Sequence, residues 1–375
     1  MPSKHALLGA SSAHRWLECP PSARLGETLP DETSVYAEEG THAHQVCEEK
    51  LRVLKGEMTE VKTAPADTEM ERCTDFYRDF VSEEWNTAKA KTPDAALIIE
   101  QELRFDEYVP EGFGTSDAVI VDDNTLRVID FKYGKGVPVK AAGNPQLRLY
   151  ALGAYLALGD LYDFVQVITT VVQPRLDTVD SEELTVDELL DWAENYVKPR
   201  AQLAYKGEGE FCVGEHCRFC RVGAVCRARV AEAFEIIERA DTEPATIGDD
   251  EIPDILDKLD NAEKWITSMR QYAEARALSG TKWRGYKLVE ARTLRKIPDQ
   301  LGAFQALEKA GFDKEEVTVS KLKSLTELEK LLGKAQFKEV LGSFVAKPQG
   351  APTLAKESDK REAINPIAEA FKEDI

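Results

Sequence analysis

The sequence lacks any long apolar run, and basic residues are in short supply. No segment approaches the ~20 consecutive apolar residues that a membrane-spanning helix needs. The first residues lack the apolar core and cleavage site of a signal peptide, so we expect a cytoplasmic protein with no membrane partner. Lys and Arg number 48 against 68 Asp and Glu, which gives a net charge of −20. This balance excludes a protein that coats duplex DNA through bulk positive charge.

The chain also lacks the even number of cysteines that a disulfide framework requires. It has seven, of which four fall close together: Cys212, Cys217, Cys220 and Cys226. Such a cluster in a protein expected to be cytosolic indicates metal binding. A G-x-x-x-x-G-K-[ST] motif is missing as well, so we do not expect this chain to unwind duplex DNA by itself.

Hydrophobic periodicity and turn signals predict an α/β core. Strands are predicted at 96–105, 114–121, 126–131 and 164–172, and helices at 36–55, 68–91 and 145–158. The helix at 145–158 is expected to begin at Pro145, because Asn144 is a good N-cap and proline suits the first helical position. A capping box from Thr185 to Glu188 predicts the start of another helix. Strands that flank a helix imply a mixed central sheet with helices against it.

Composition divides the chain into three parts. Residues 1–235 hold the α/β core, and residues 236–345 are mainly helical with a short strand pair at 283–293. Residues 346–375 are rich in Pro, Gly and charge, and we expect a flexible tail there. The long helix in the middle part has an apolar seam from Ile255 to Ala273, which fits either an intramolecular contact or an oligomer.

Two neighbouring predicted strands carry acidic residues towards their ends. Asp117 lies on the first strand, while Asp130 and Lys132 on the second are two residues apart and therefore share one face. Two converging carboxylates can bind Mg²⁺ or Mn²⁺, and a neighbouring ammonium group can orient a water molecule. Phosphodiester hydrolysis requires these parts. Taken alone, the pattern also fits an exposed strand with alternating charges.

Two helical motifs flank these strands. His44 lies on the predicted helix at 36–55, and Gln146 and Tyr150 are four residues apart, so their side chains share one face of the helix that begins at Pro145. Each motif has a structural explanation of its own: a structural histidine in the first case and a solvent-facing pair in the second.

The order of these motifs resembles the RecB-type branch of the PD-(D/E)XK nuclease superfamily. The similar segments are Glu39-Gly-Thr-His-Ala-His44-x-x-x-Glu48, Gly114-x-x-Asp117, Asp130-x-Lys132 and Gln146-x-x-x-Tyr150. The resemblance implies a restriction-endonuclease-like core in which His44, Asp117 and Asp130 bind Mg²⁺ or Mn²⁺. It also implies that Lys132 positions the attacking water and that Gln146 and Tyr150 contact DNA.

The cysteines resemble those of RecB-type nucleases with an iron–sulfur cluster. Spacing alone gives Cys217, Cys220 and Cys226 as three ligands, with Cys212 or Cys19 as the fourth. The resemblance implies Cys19, because in that branch one cysteine precedes the nuclease core and three follow it. A [4Fe–4S] cluster is therefore expected, and structural Zn²⁺ is the alternative that four thiolates leave open.

Over its whole length the sequence is similar to a phage-encoded family related to CRISPR-associated iron–sulfur exonucleases. The implied function is metal-dependent exonucleolytic hydrolysis of DNA from single-stranded ends, with phage replication or recombination proteins as further partners. Two alternatives stay open: a catalytically silent protein that binds DNA ends, and a replication scaffold.

Overall fold

The computed structural model describes residues 6–27, 35–136, 138–238, 248, 252–293, 295–317, 322–346, 352–356 and 361–364. The chain forms two compact units, Met1–Trp265 and Ile266–Ile375. The division at residues 235 and 345 that composition suggests stays a prediction. Among the described helices, none is long and apolar enough to cross a membrane.

The first unit contains a sheet and the helices around it. Its helices are α1 (Ala13–Glu18), α2 (Ser22–Glu27), α3 (Val35–Lys55), α4 (Thr68–Lys91), α5 (Pro145–Leu158), α6 (Val186–Trp192), α7 (Lys198–Lys206) and α8 (Arg227–Glu238). Its strands are β1 (Ala96–Arg104), β2 (Phe113–Val121), β3 (Thr125–Phe131), β4 (Gln166–Gln173) and β5 (Thr178–Thr185). The next helix, α9 (Ile252–Leu278), contains the division between the units.

The five strands form one mixed sheet in the order β1-β2-β3-β4-β5. The connection through α5 makes β3 and β4 parallel, and the other neighbours are antiparallel. All residues of β3 are buried: Leu126 and Val128 pack in the cluster with α5, and Ile129 and Phe131 pack in the cluster with α3 and α4. Helices thus cover both faces of the sheet. The predicted α/β class, a mixed sheet flanked by helices, is confirmed.

Two helix starts follow from local hydrogen bonds, as predicted. At α5, Asn144 Oδ1 accepts a hydrogen bond from the Gln146 N–H at 3.0 Å, and Pro145 is the first helical residue. At α6, the Thr185 hydroxyl accepts from the Glu188 N–H, and the Glu188 carboxylate accepts in return from the Thr185 N–H. Side chains thus satisfy amides that the first turn of a helix leaves without partners.

The second unit contains β6 (Tyr286–Glu290), α10 (Gln300–Lys309), α11 (Lys314–Val317), α12 (Leu325–Leu341) and β7 (Pro352–Lys356). The prediction of a strand pair within 283–293 is wrong, because β6 pairs antiparallel with β7. A five-residue strand among charged residues carries too little alternation to be recognised without its partner. The rest of the predicted tail, residues 347–351, 357–360 and 365–375, lies outside the described residues.

Candidate active site

Asp117 and Asp130 lie side by side in the middle of the sheet. The register pairs Ala118 of β2 with Ile129 of β3, which places the two aspartates at the next pair of positions. Asp117 Oδ2 also accepts a hydrogen bond from the Phe131 N–H at 2.7 Å, so that its carboxylate is held against β3. Antiparallel pairing thus brings together the two carboxylates that the sequence analysis selected.

His44 reaches this pair from α3. Its Nδ1 lies 2.9 Å from Asp117 Oδ1, and its ring packs edge-on against Phe131 with 5.4 Å between the ring centres. Burial by itself would lower the pKa of His44, but the charge of Asp117 and its hydrogen bond raise it overall. In the opposite direction, His44 and Lys132 hold the pKa of Asp117 below its usual range despite burial. The structure thus brings His44 of α3 into contact with Asp117 of β2.

Lys132 forms an ion pair with Asp130, with 2.8 Å between Nζ and Oδ2. Burial raises the pKa of Asp130, and the neighbouring Asp117 carboxylate adds to this, although Lys132 acts against it. Asp130 and Asp117 raise the pKa of Lys132 even though burial lowers it. Lys132 therefore stays an ammonium ion beside the two carboxylates.

Gln146 and Tyr150 meet each other and the aspartate pair. Gln146 Nε2 lies 3.1 Å from the Tyr150 hydroxyl and 3.3 Å from Asp130 Oδ1. Tyr150 is only 5% exposed, and Gly114 makes room for its ring, since a Cβ on Gly114 would lie 2.8 Å from Tyr150 Cε1. The structure therefore places Tyr150 beneath Gln146, with little surface for a substrate. That the two residues contact DNA stays a prediction.

Glu100 completes the site, although nothing in the sequence pattern singled it out. It lies opposite Asp117 in the antiparallel β1–β2 pairing, between the pairs Ile99–Ala118 and Gln101–Ser116. Its φ of +48° falls in the left-handed region, which is costly for a residue other than glycine within a strand. Burial and the Asp117 carboxylate raise the pKa of Glu100 to about 7.

His44, Glu100 and Asp117 offer a nitrogen and two carboxylate oxygens to one point. Within the described part of the chain, they are the one set of three His, Cys, Asp or Glu residues whose ligand atoms all lie within 4.8 Å of one another. Such a nitrogen and oxygen set suits Mn²⁺ or Mg²⁺. The structure thus groups Glu100 with His44 and Asp117, while Asp130 of the predicted ligand set lies beside them with Lys132.

A family model for a protein of unknown function, DUF2800, matches residues 5–362 of the chain. The chain belongs to the DUF2800 family. Among solved structures, one titled "Crystal structure of SSO0001" is 14% identical in sequence. The match covers 58% of this chain and 96% of that chain, with a TM-score of 0.25.

The DUF2800 chain also brings the segment of Cys19 against the segment of the later cysteines. Burial raises the pKa of Cys220, and the thiols of Cys217 and Cys19 raise it further. His216 forms a hydrogen bond with Cys19, which is the largest cause of its raised pKa. That Cys19, Cys217 and Cys220 bind one common group stays a prediction.

Contacts of α1 and α2 with the later segment hold this arrangement in place. The rings of His14 and Phe219 pack edge-on with 6.3 Å between their centres, and Arg221 donates a hydrogen bond to the Gly26 carbonyl at 3.4 Å. Cys212 is exposed, and its pKa is raised by partial burial first and then by the charges of Glu18, Cys19 and Cys217. The assignment of Cys226 as the remaining ligand stays a prediction.

Proposed function

We propose that this DUF2800 protein is a metal-dependent deoxyribonuclease that hydrolyses DNA from single-stranded ends. The observation that carries the proposal is the convergence of His44, Glu100 and Asp117 beside the Asp130–Lys132 ion pair. The motif order of the RecB-type PD-(D/E)XK nucleases supports it, and phage DNA replication or recombination is the process in which we place it.

The residues present fit a divalent cation. His44, Glu100 and Asp117 would hold it. Asp130 lies next to Asp117 in the sheet and could be a further ligand. A bound Mg²⁺ or Mn²⁺ stabilises the negative charge that develops on the phosphate and lowers the pKa of a coordinated water. Because His44 must be neutral to act as a ligand, its raised pKa makes metal affinity fall as the pH decreases.

Lys132 and Gln146 have roles that do not require metal ligation. The Lys132 ammonium group, held by Asp130, is a donor that can orient a water molecule towards the phosphate and stabilise the charge that develops there. The Gln146 amide donates to Asp130 Oδ1 and keeps that carboxylate turned towards the site. A positioned cation and a held carboxylate reduce the reorganisation that the reaction needs.

For the cysteines we propose a [4Fe–4S] cluster held by Cys19, Cys217, Cys220 and Cys226. The contacts that bring the segment of Cys19 against the segment of Cys217 and Cys220 support it, and four thiolates are the usual ligands of such a cluster. The cluster would join two segments of the first unit and take no part in hydrolysis, because the described contacts of these cysteines do not include the carboxylates.

The decisive experiment is a cleavage assay with purified protein. Linear single-stranded DNA labelled at either end should be shortened in Mg²⁺ or Mn²⁺ and left intact in EDTA. Closed circular single strands should resist, since the proposed activity starts at ends. Binding to labelled ends without cleavage in either metal would contradict the proposal and favour a catalytically silent end-binding protein.

Glu100 provides a specific prediction within this site. In Glu100→Gln, Mn²⁺ affinity measured by calorimetry should fall at least about 10-fold, because a carboxylate ligand is lost. The thermal midpoint without metal should stay equal or rise, since the repulsion between Glu100 and Asp117 is removed.

Glu102→Gln is the matched control, because Glu102 is exposed on the same strand. It should leave Mn²⁺ affinity unchanged. Equal affinity in the Glu100 variant and the wild type would show that Glu100 is not a ligand.

A further inference from the structure

The segment after β3 differs in charge from the rest of the chain. Residues 131–159 contain no Asp or Glu, although the protein has 68 acidic residues and a net charge of −20. The same segment carries Lys132, Lys135, Lys140 and Arg148. An acidic protein that acts on a polyanion needs a local positive path to its site, and this segment is a candidate for it.

Both ends of the loop between β3 and α5 lie next to Asp130. We define the basic loop as residues 133–136 and 138–144. Just before it, Lys132 Nζ lies 2.8 Å from Asp130 Oδ2, and just after it, Gln146 Nε2 lies 3.3 Å from Asp130 Oδ1. The residues on either side of the basic loop therefore both contact the candidate active site.

Side chains of the neighbouring strand β4 hold the first part of the basic loop. Gln173 Oε1 accepts a hydrogen bond from the Val139 N–H at 3.1 Å, and Gln173 Nε2 donates to the Gly134 carbonyl at 2.6 Å. Gln173 is only 2% exposed. A buried amide thus spans the loop and determines its backbone path.

Acidic side chains of β5 hold the second part. Asp180 Oδ2 accepts from the Ala141 N–H at 2.7 Å, and Glu182 Oε1 accepts from the Gly143 N–H at 2.8 Å. Glu182 also binds Arg148, with 2.9 Å between Oε2 and Nε. The carboxylates of Asp180 and Glu182 are therefore occupied by the loop backbone and by Arg148.

Lys135 and Lys140 are left as the exposed cations of the basic loop. Neither forms an ion pair with a residue that the structure describes. Two unpaired ammonium groups lie on a backbone that one buried side chain, Gln173, and two half-buried ones, Asp180 and Glu182, hold in place. They form a preorganised surface for negative charge, because little backbone entropy is lost when a ligand binds to it.

We infer that the basic loop binds the phosphate backbone of a single DNA strand, with Lys135 and Lys140 contacting phosphates next to the one that is cleaved. This inference rests on the proposed function. The strand would pass over the basic loop to Asp130 and Lys132. Contacts to phosphates carry no sequence information, so the loop would bind strands of any sequence.

The test measures binding of a labelled single-stranded oligonucleotide in EDTA, where no cleavage occurs. In the double variant Lys135→Ala/Lys140→Ala, affinity near physiological salt should fall about 10-fold, and the slope of log K against log [salt] should become shallower by about 1.4, the value for two lost phosphate contacts. In Mg²⁺, KM should rise while kcat at saturating DNA is retained. Lys135→Arg/Lys140→Arg should restore both affinity and slope.

Lys91→Ala/Lys206→Ala is the matched control, because it removes the same charge from exposed ends of α4 and α7. It should leave the slope unchanged. If the wild type binds and cleaves DNA but the loop variant keeps its affinity and slope, the basic loop is not the binding element, although the nuclease proposal stands. If the loop variant loses binding as expected while the wild type never cleaves, the loop assignment stands and the nuclease proposal fails.

Discussion

Asp130→Asn should abolish metal-dependent DNA cleavage while the protein remains folded. The substitution removes the carboxylate that holds Lys132 at 2.8 Å and accepts from Gln146 at 3.3 Å. We expect kcat to fall by at least about 10²–10³-fold, since a group that organises charge stabilisation in the transition state is lost. Affinity for single-stranded DNA in EDTA should stay equal or rise, because one negative charge next to the strand is removed.

Asp122→Asn is the matched control for this variant. Asp122 is another buried aspartate of the same sheet region, and its Oδ2 lies 2.6 Å from Arg127 Nη1. Weakening this pair should reduce the free energy of unfolding by at most about 3–5 kcal/mol, since Arg127 keeps Glu84 at 3.6 Å, and it should leave kcat unchanged below the unfolding transition. If Asp130→Asn retains wild-type cleavage in Mg²⁺, the chemistry takes place elsewhere in the chain.

Cys19→Ser should remove the iron–sulfur cluster and much of the stability of the first unit. Cys19 and Cys217 are separated by nearly 200 residues. In the entropic treatment of a disulfide, closing a loop of this size reduces the entropy of the unfolded chain. This stabilises the folded state by ~4–5 kcal/mol. That is a large share of a typical net stability of ~5–15 kcal/mol. The wild type should be brown with about four irons per chain, and the variant should be colourless and sensitive to protease.

Three further variants make this test specific. Cys73→Ala changes a fully buried cysteine of α4 and should keep colour and iron content. Cys226→Ser should lose both, and Cys212→Ser should keep both. One zinc per chain in the wild type would overturn the cluster assignment, and colour lost in Cys212→Ser but kept in Cys226→Ser would overturn the choice of Cys226.

Local signals predicted the elements that local interactions determine. The helix from Pro145 to Leu158 follows from the Asn144 cap, and the turn between β2 and β3 follows from Asp122, which accepts from the Thr125 N–H at 2.9 Å. The site residues on these elements, Asp117 and Asp130, could therefore be placed from sequence together with His44.

Elements that depend on distant pairing could not be predicted in this way. Glu100 is one of four polar positions in β1, and its role appears only when the β1–β2 register places it opposite Asp117. β5 could not be predicted because it is an edge strand with acidic residues such as Asp180 and Glu182. Charged residues protect an edge strand from pairing with another chain, but in the sequence they resemble a loop. Likewise, β7 is recognisable only through its pairing with β6.

The docking of α1 and α2 on the later part of the first unit sets an order of events during synthesis. Tyr196 donates a hydrogen bond to Glu18 at 2.8 Å, and Arg24 donates to the Tyr205 carbonyl at 2.6 Å. At translation rates of about 5–20 residues per second, residues 196–205 leave the ribosome roughly 10–40 s after α1. Until then, Glu18 and Arg24 lack these partners on the nascent chain. The helices made first therefore complete their contacts only after most of the first unit has been synthesised.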